Sequence, residues 1–239
     1  MKLLTSLLQN RKTFIEEIHA SVNLKSKILA LLLLSVICFG IYGFIIGLSQ
    51  GFLQGAISIA KLPVLYILTL LICIPAFFIF SSIFGSTKSL WQGLALGLTA
   101  TCIIGILLIG FAPVTLFILI TTENYQFFKV LNVVFFAISG IVGARLFYKS
   151  IQTHLETDEP KGLSRIWFLR LWIVLYAFVG SQLGWTLRPF FGNPEQEFVA
   201  FQEVRGNFYS NMAKSLGHVL GNDEKKKKDQ NRKGDKGID

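Results

Sequence analysis

Amide side chains are the polar groups best placed for chemistry in the apolar part of this sequence. Gln50 and Gln54 lie four residues apart, and Asn132 and Gln182 occur in later apolar segments. Four-residue spacing places Gln50 and Gln54 on one helix face, where they could line a polar cavity with the other two amides. With Arg188, which follows Gln182 near the end of the last apolar segment, they form our candidate polar or interface site. The alternative that we favour is hydrogen bonding between helices.

Ionisable side chains are missing where membrane chemistry would need them. Proton relays, ion-coupled transport and hydrolysis within a membrane use carboxylates, histidines or paired charges at membrane depth. The apolar runs contain no Asp, Glu or His. No Ser/His/Asp arrangement, HExxH or phosphate-binding glycine loop is present. We therefore expect that the protein is not an enzyme and that it has no catalytic residue, no cofactor and no metal site.

Glycines at regular intervals form the clearest pattern. Gly43, Gly47, Gly51 and Gly55 follow one another at four-residue spacing. On one helix these residues would share a face, and their missing side chains would let another helix approach closely. We predict that the four glycines are a helix-packing face. Packing within one bundle is the use that we favour, and a dimer face is the alternative.

The composition is typical of a membrane protein. Hydrophobic residues make up 52% and charged residues 15% of the chain, whereas a soluble domain is about a quarter charged. The net charge of +9 is concentrated in the C-terminal tail and at the ends of apolar runs, where basic residues orient membrane proteins. No nucleic-acid partner is expected. The three cysteines lie inside apolar runs, where cysteine behaves as a small hydrophobe: Cys38, Cys73 and Cys102.

The apolar runs predict an all-α bundle of five transmembrane helices over residues 25–191. Residues 28–60 and 89–122 carry no charge, and each run is too long for one straight span of a hydrocarbon core about 30 Å thick. We predict spans at about 28–49, 62–84, 90–111, 130–147 and 167–187. Residues 50–60 are then a bent or interfacial extension. A break at Pro113 leaves 114–122 as a re-entrant segment or an additional crossing.

Charge placement favours five crossings with a cytoplasmic N-terminus. In that arrangement Lys88 and the basic loop 145–170 are cytoplasmic, whereas the outer loops hold only Lys61 and Lys129. An additional crossing by residues 114–122 would move the basic loop outside, against the positive-inside pattern.

Both ends of the chain are predicted to lie outside the bundle. Residues 1–24 are predicted to form an amphipathic helix along the membrane surface. Residues 192–221 are predicted to be an extramembrane segment with a possible second surface helix, and residues 222–239 a disordered lysine-rich tail. The four tryptophans fall near span ends and are predicted to form an aromatic belt: Trp91, Trp167, Trp172 and Trp185.

Two segments resemble bacterial Yip1-like membrane proteins. They are "GFIIGLSQGFLQGAISIAKLPVLYILTLLICIPAFFIFSSIFG", residues 43–85, and "LLIGFAPVTLFIL", residues 107–119. The shared features are a glycine-bearing first span, a Lys-Leu-Pro start to the second and an Ala-Pro in the third. The resemblance covers roughly residues 25–150 and implies a five-helix bundle with a cytosolic N-terminus. "GSQLGWTLRPFF", residues 180–191, is similar to the closing segment of uncharacterised multi-span proteins of cyanobacteria.

These observations predict a non-enzymatic integral membrane protein that acts by binding. It would serve as a scaffold, assembly factor or accessory subunit of a membrane complex. The expected partners are the lipid bilayer and either another membrane protein or a second copy of the chain. The expected location is a bacterial inner membrane, or a thylakoid membrane if the protein is cyanobacterial. The alternative is a transporter or channel for a small or neutral solute, which the overlong runs, prolines and glutamines favour.

Overall fold

The described residues form helices. The structure is a computed structural model that describes residues 7, 9–83, 89–122, 124–155, 163–187 and 190. Over these residues six helices occur: α1 (Arg11–His19), α2 (Leu24–Gly47), α3 (Phe52–Ile83), α4 (Leu90–Thr121), α5 (Tyr125–Leu155) and α6 (Leu163–Thr186). No strand occurs in this part of the chain, so the all-α prediction is confirmed for it. The predicted segment 192–221, the tail 222–239 and Arg188 lie outside the described residues.

Four helices, α2 to α5, are long and apolar enough to cross a membrane. Their candidate spans within the described residues are Leu24–Gly47, Phe52–Ser82, Leu90–Thr121 and Tyr125–Ile151. The predicted fifth span corresponds to α6, which has 24 residues but is not among these four. Arg165 and Arg170 at its start, and Gln182 near its end, shorten its apolar run.

The boundary between the first two long helices differs from the predicted one. α2 ends at Gly47, and α3 already begins at Phe52. Gly51 between them has a φ of 141°, a conformation that glycine adopts far more readily than other residues. Residues 52–60 therefore belong to α3 and do not extend the first span.

α4 continues through the predicted break at Pro113. The helix is continuous to Thr121, so residues 114–121 are neither re-entrant nor a separate crossing. Proline is tolerated within membrane helices because neighbouring helices and Ser or Thr side chains satisfy the freed backbone groups. A capping box fixes the start of α4. The Ser89 hydroxyl accepts from the Gln92 backbone N–H at 3.3 Å, and Gln92 Oε1 accepts from the Ser89 N–H at 2.9 Å.

Helices that follow one another from α2 to α5 run antiparallel, and α6 runs antiparallel to α3. The direction is read from facing residues: the α3 residues Leu65 and Thr69 lie beside Gly184 and Gly180 of α6, in reversed order. The same reversal relates α2 to α3 and α3 to α4. α4 packs against α2, α3 and α5 and so lies at the centre of the bundle.

α1 docks on the bundle instead of lying alone at a membrane surface. The side chains of Leu7, Phe14 and Ile18 are buried, in a core cluster shared with residues of α2, α4 and α5. The polar residues Arg11 and Lys12 are exposed. The apolar side of this segment therefore contacts protein, and the predicted amphipathic helix along the membrane surface is not confirmed.

Hydrogen bonds fix α1 at the end of the bundle where α4 begins and α5 ends. Gln92 Nε2 donates to the carbonyl oxygen of His19 at 2.7 Å and to the hydroxyl of Ser21 at 3.0 Å. His19 Nε2 donates to the carbonyl oxygen of Ser150 on α5 at 3.3 Å. These bonds place α1 beside two helix ends at once.

Candidate functional site

The four predicted glycines do not share one helix face. Gly43 and Gly47 lie on α2, Gly51 lies in the turn, and Gly55 lies on α3. A Cβ added to Gly47 would lie 2.7 Å from the Cα of Gly55 and 2.8 Å from the carbonyl oxygen of Gln54. The glycines on α2 and α3 therefore face each other across a helical hairpin. Their regular spacing in sequence comes from a chain that folds back on itself.

Other small residues differ in their surroundings. A Cβ added to Gly97 would meet Leu70 of α3, and one added to Gly143 would meet Ile104 of α4. In contrast, a Cβ added to Gly140 would meet nothing within 4 Å. Packing within the chain thus accounts for Gly97 and Gly143, whereas Gly140 leaves room on the outside of α5.

The predicted glutamine pair does not come together at one depth. α3 and α6 run antiparallel, with Leu65 beside Gly184. Gln182 precedes Gly184 by two residues on α6, so it is level with Ile67, two residues after Leu65 on α3. Gln54, in contrast, lies near the start of α3. At about 1.5 Å per residue, the two amides differ in depth by about 20 Å. The structure therefore does not bring them into one cavity.

The remaining predicted site residues are also separate. Gln50 lies in the turn after α2, and Arg188 is outside the described residues. Gln54 is buried where α2 and α3 touch, and its main-chain carbonyl oxygen faces Gly47. A role for these amides in helix pairing stays a prediction.

Asn132 belongs to a different site, a buried polar cluster with Tyr42 and Thr115. The Tyr42 hydroxyl donates to Asn132 Oδ1 at 2.7 Å, and the Thr115 hydroxyl lies 3.2 Å from the Tyr42 oxygen. The Thr115 hydroxyl also lies 3.5 Å from Asn132 Oδ1. Asn132 Nδ2 donates to the carbonyl oxygen of Phe128 at 2.9 Å. All three cluster side chains have 0% exposure, and they join α2, α4 and α5.

The chemistry of this cluster is that of neutral hydrogen bonding. A buried amide is costly unless its donors and acceptors are paired. Here Asn132 has partners for both its oxygen and its nitrogen, and no member of the cluster is a carboxylate or an imidazole. The cluster therefore joins three helices through hydrogen bonds between neutral groups. Sequence reasoning noticed Asn132 but missed Tyr42 and Thr115, since hydroxyls are common in apolar helices.

Lys61 does not lie where the sequence predicted it. It lies inside α3 and is 5% exposed, whereas the sequence predicted a place in an outer loop. One turn before it, the Ser58 hydroxyl donates to the carbonyl oxygen of Phe190 at 3.3 Å. Phe190 is itself buried. The chain just after α6 therefore lies against the first turns of α3, which an uncharged run followed by a lysine does not reveal.

Only two of the four tryptophans have the exposure of a belt residue. Trp91 is 59% exposed and Trp167 is 66% exposed. Trp172 is buried, and its indole N–H donates to the carbonyl oxygen of Cys73 at 2.9 Å. Trp185 is also buried. Trp172 and Trp185 are thus core residues, which corrects the predicted belt.

Comparisons with family models, curated proteins and solved structures find no match. The resemblance to Yip1-like proteins therefore stays a prediction. The fold indicates the class: four of the described helices are long and apolar enough to cross a membrane, which is compatible with an integral membrane protein. Across the described residues, no group of three or more His, Cys, Asp or Glu side chains is arranged to hold a metal ion.

Proposed function

We propose that the protein is a non-enzymatic membrane protein that acts by binding, as a scaffold, assembly factor or accessory subunit of a membrane complex. One observation carries the proposal: the polar cluster deep in the bundle is satisfied within the chain. Tyr42, Thr115 and Asn132 use their hydrogen-bonding groups on one another and on the main chain. This cluster then serves to hold the helices, and the outer surface of the bundle is available for binding.

The outer surface of the bundle supports this proposal. Large apolar side chains project from it on several helices, among them Leu71, Phe117 and Leu171. In a bilayer such side chains face either lipid tails or another membrane protein, because both are apolar. A partner that packs on this surface would need no ionisable group on either side.

We further propose that α6 is the fifth span and that the end bearing α1 faces the cytoplasm. α6 packs along α3 through Gly180 and Gly184, and its Trp172 is buried against α3. The end bearing α1 is rich in basic residues, which favours the cytoplasmic side of a bacterial inner membrane or a thylakoid membrane.

Cysteine labelling tests this topology. The native cysteines are buried, so a membrane-impermeant maleimide should label mainly introduced sites. Asp158→Cys, between α5 and α6 in the sequence, and Asn193→Cys, after α6, should be labelled from opposite sides of sealed vesicles. Labelling of both from the same side would show that α6 does not cross.

Site-specific photocrosslinking in native membranes tests the proposed function. A photoreactive residue at Phe117 or Leu171 should give an adduct with a defined membrane protein, whereas the same residue at the buried position Leu108 should not. A scan of the exposed positions of α3 to α6 would locate the contact face. Lipid adducts alone at every position, together with a lone monomer in mild detergent, would contradict the proposal.

A transporter or channel for a small neutral solute is the second candidate. The observation in its favour is that the Tyr42–Thr115–Asn132 cluster places neutral donors and acceptors where three helices meet. Proteoliposomes should then show flux of a neutral solute that Asn132→Leu abolishes. Absence of flux for ions and small neutral solutes would remove this candidate.

A further inference from the structure

Exposed cationic side chains gather at the end of the bundle that α1 covers. Contacts bring these elements together: His19 of α1 bonds to Ser150 near the end of α5, and Gln92 at the start of α4 bonds back to His19. Phe147 near the end of α5 stacks on Trp172 near the start of α6, at 4.8 Å between ring centroids. We call this surface the cationic end, and define it by five exposed residues: Arg11, Lys12, Lys25, Lys149 and Arg170.

Few carboxylates oppose these cations. α1 carries Glu16 and Glu17, and Glu17 Oε2 lies 2.6 Å from Lys27 Nζ in an ion pair. The α5–α6 connection adds the carboxylates of residues 156–159, yet basic residues still outnumber acidic ones in the segments that meet here. At the opposite end, the described basic residues are the buried Lys61 and the partly buried Lys129. Among the described residues, the excess of exposed basic side chains therefore lies at one end.

Two exposed tryptophans lie at the cationic end, and they favour a position of this end at headgroup level. Trp167 is 66% exposed, and the guanidinium of Arg170 lies 5.9 Å from its ring centroid. Trp91, which is 59% exposed, precedes the Gln92 that holds α1. Exposed tryptophans favour the membrane–water interface. Because the apolar side of α1 is buried in protein, Arg11 is held at this level and is not carried into the bilayer.

We propose that the cationic end is a docking surface for the phosphate groups of anionic lipids. Guanidinium groups bind phosphate through paired, charge-assisted hydrogen bonds. Basic residues at the membrane surface attract anionic headgroups, and here five of them are held by three helices and the docked α1. The surface lies outside the helix interior, so the proposal stands whether the protein is a scaffold or a transporter.

Quenching of tryptophan fluorescence by brominated lipids tests this proposal on the full chain. Vesicles would contain either brominated phosphatidylglycerol or brominated phosphatidylcholine of the same chain length, diluted into unbrominated phosphatidylcholine. Trp91 and Trp167 report on nearby lipid because they are exposed. We expect the wild type to bind phosphatidylglycerol more tightly than phosphatidylcholine. Lys149→Gln or Arg170→Gln should each weaken that preference by about fivefold, the factor that corresponds to roughly 1 kcal/mol per basic residue.

Lys129→Gln is the matched control, because it removes one positive charge at the opposite end. It should leave the preference unchanged. Equal binding of the two lipids by the wild type would overturn the proposal. An acidic protein segment would then be the ligand to test on this surface. An equal loss in Lys129→Gln and Lys149→Gln would also overturn it, since net charge and not this surface would then be responsible.

A salt titration of the wild type decides the question without any variant. Raising the salt from 0.1 M to 1 M shortens the Debye length from about 10 Å to about 3 Å. The preference for phosphatidylglycerol should fall over this range. A preference that does not change with salt would contradict docking by charge.

Discussion

The hydroxyl of Tyr42 on α2 donates a 2.7 Å hydrogen bond to the side-chain oxygen of Asn132 on α5, although the two residues are 90 positions apart. Thr115 of α4 reaches the same oxygen at 3.5 Å. One amide oxygen therefore joins three helices at a point with no exposure to solvent.

Tyr42→Phe removes a donor from this oxygen and should destabilise the bundle. Hydrogen bonds between membrane helices contribute about 0.6 kcal/mol on average and up to about 1.7 kcal/mol, and we expect a loss in that range. Equilibrium unfolding in mixed micelles measures it. Combined with Thr115→Val, the losses should be non-additive, because both hydroxyls share one acceptor. Strictly additive losses would show that the two hydroxyls act independently. Thr121→Val is the control, since that hydroxyl bonds within its own helix, to Phe117.

Gly47→Ala should open the contact between α2 and α3. Its Cβ would lie 2.7 Å from the Cα of Gly55, and backbone cannot yield as a flexible side chain can. We expect a loss of about 1–3 kcal/mol in unfolding free energy. Gly140→Ala is the matched control: with no atom within 4 Å, it should be neutral or slightly stabilising, as alanine favours helix. If Gly140→Ala were as harmful, the outside of α5 would be packed against another molecule.

Gly51→Ala should destabilise the turn through its backbone alone. Nothing lies within 4 Å of a Cβ at this position, but its φ of 141° is rarely adopted by residues with a side chain. Such strain costs of the order of 1–3 kcal/mol. The same unfolding assay measures it. A stability equal to that of the wild type would show that the turn adopts another conformation without cost.

Phe14→Ala should release α1 from the bundle. The Phe14 ring is buried in the core cluster, so its loss should expose the backbone amides of residues 11–19 to hydrogen exchange. The long helices should keep their protection, because α1 contributes only at one end. Val22→Ala, at a position that is 47% exposed, is the control. Unchanged protection of residues 11–19 in Phe14→Ala would contradict docking and favour a helix that lies in the lipid surface.

Sequence patterns predicted which segments are helical but not where several of them end. An uncharged run identifies apolar helix, yet it contains no signal for a turn inside it. The end of α2 depends on the conformation of Gly51, which cannot be told from that of a packing glycine by spacing. Pro113 led to the opposite error: a helix end was predicted there, but the residue lies within a continuous helix.

Contacts between distant segments were the part that the sequence could not predict. Asn132 stood out as an amide in an apolar run, but its partner Tyr42 comes from another helix. The sequence predicted an apolar side of α1 but not what that side contacts, because the periodicity is the same for a helix that faces lipid and one that faces protein. The depths of Gln54 and Gln182 in the bundle could not be predicted either, since their separation follows from the register of α3 on α6.

The long separation of Tyr42 and Asn132 sets an order for biogenesis. Among the long helices, α2 and α3 are synthesised first. Their glycine contacts join segments that are neighbours in sequence, so these two helices can pair at once. The Tyr42 hydroxyl can contact Thr115 once α4 is made, but it lacks its Asn132 acceptor until α5 is synthesised. Nascent chains arrested before Asn132 should therefore contain a closed hairpin, and should stay bound to the insertion machinery until α5 arrives and completes the cluster.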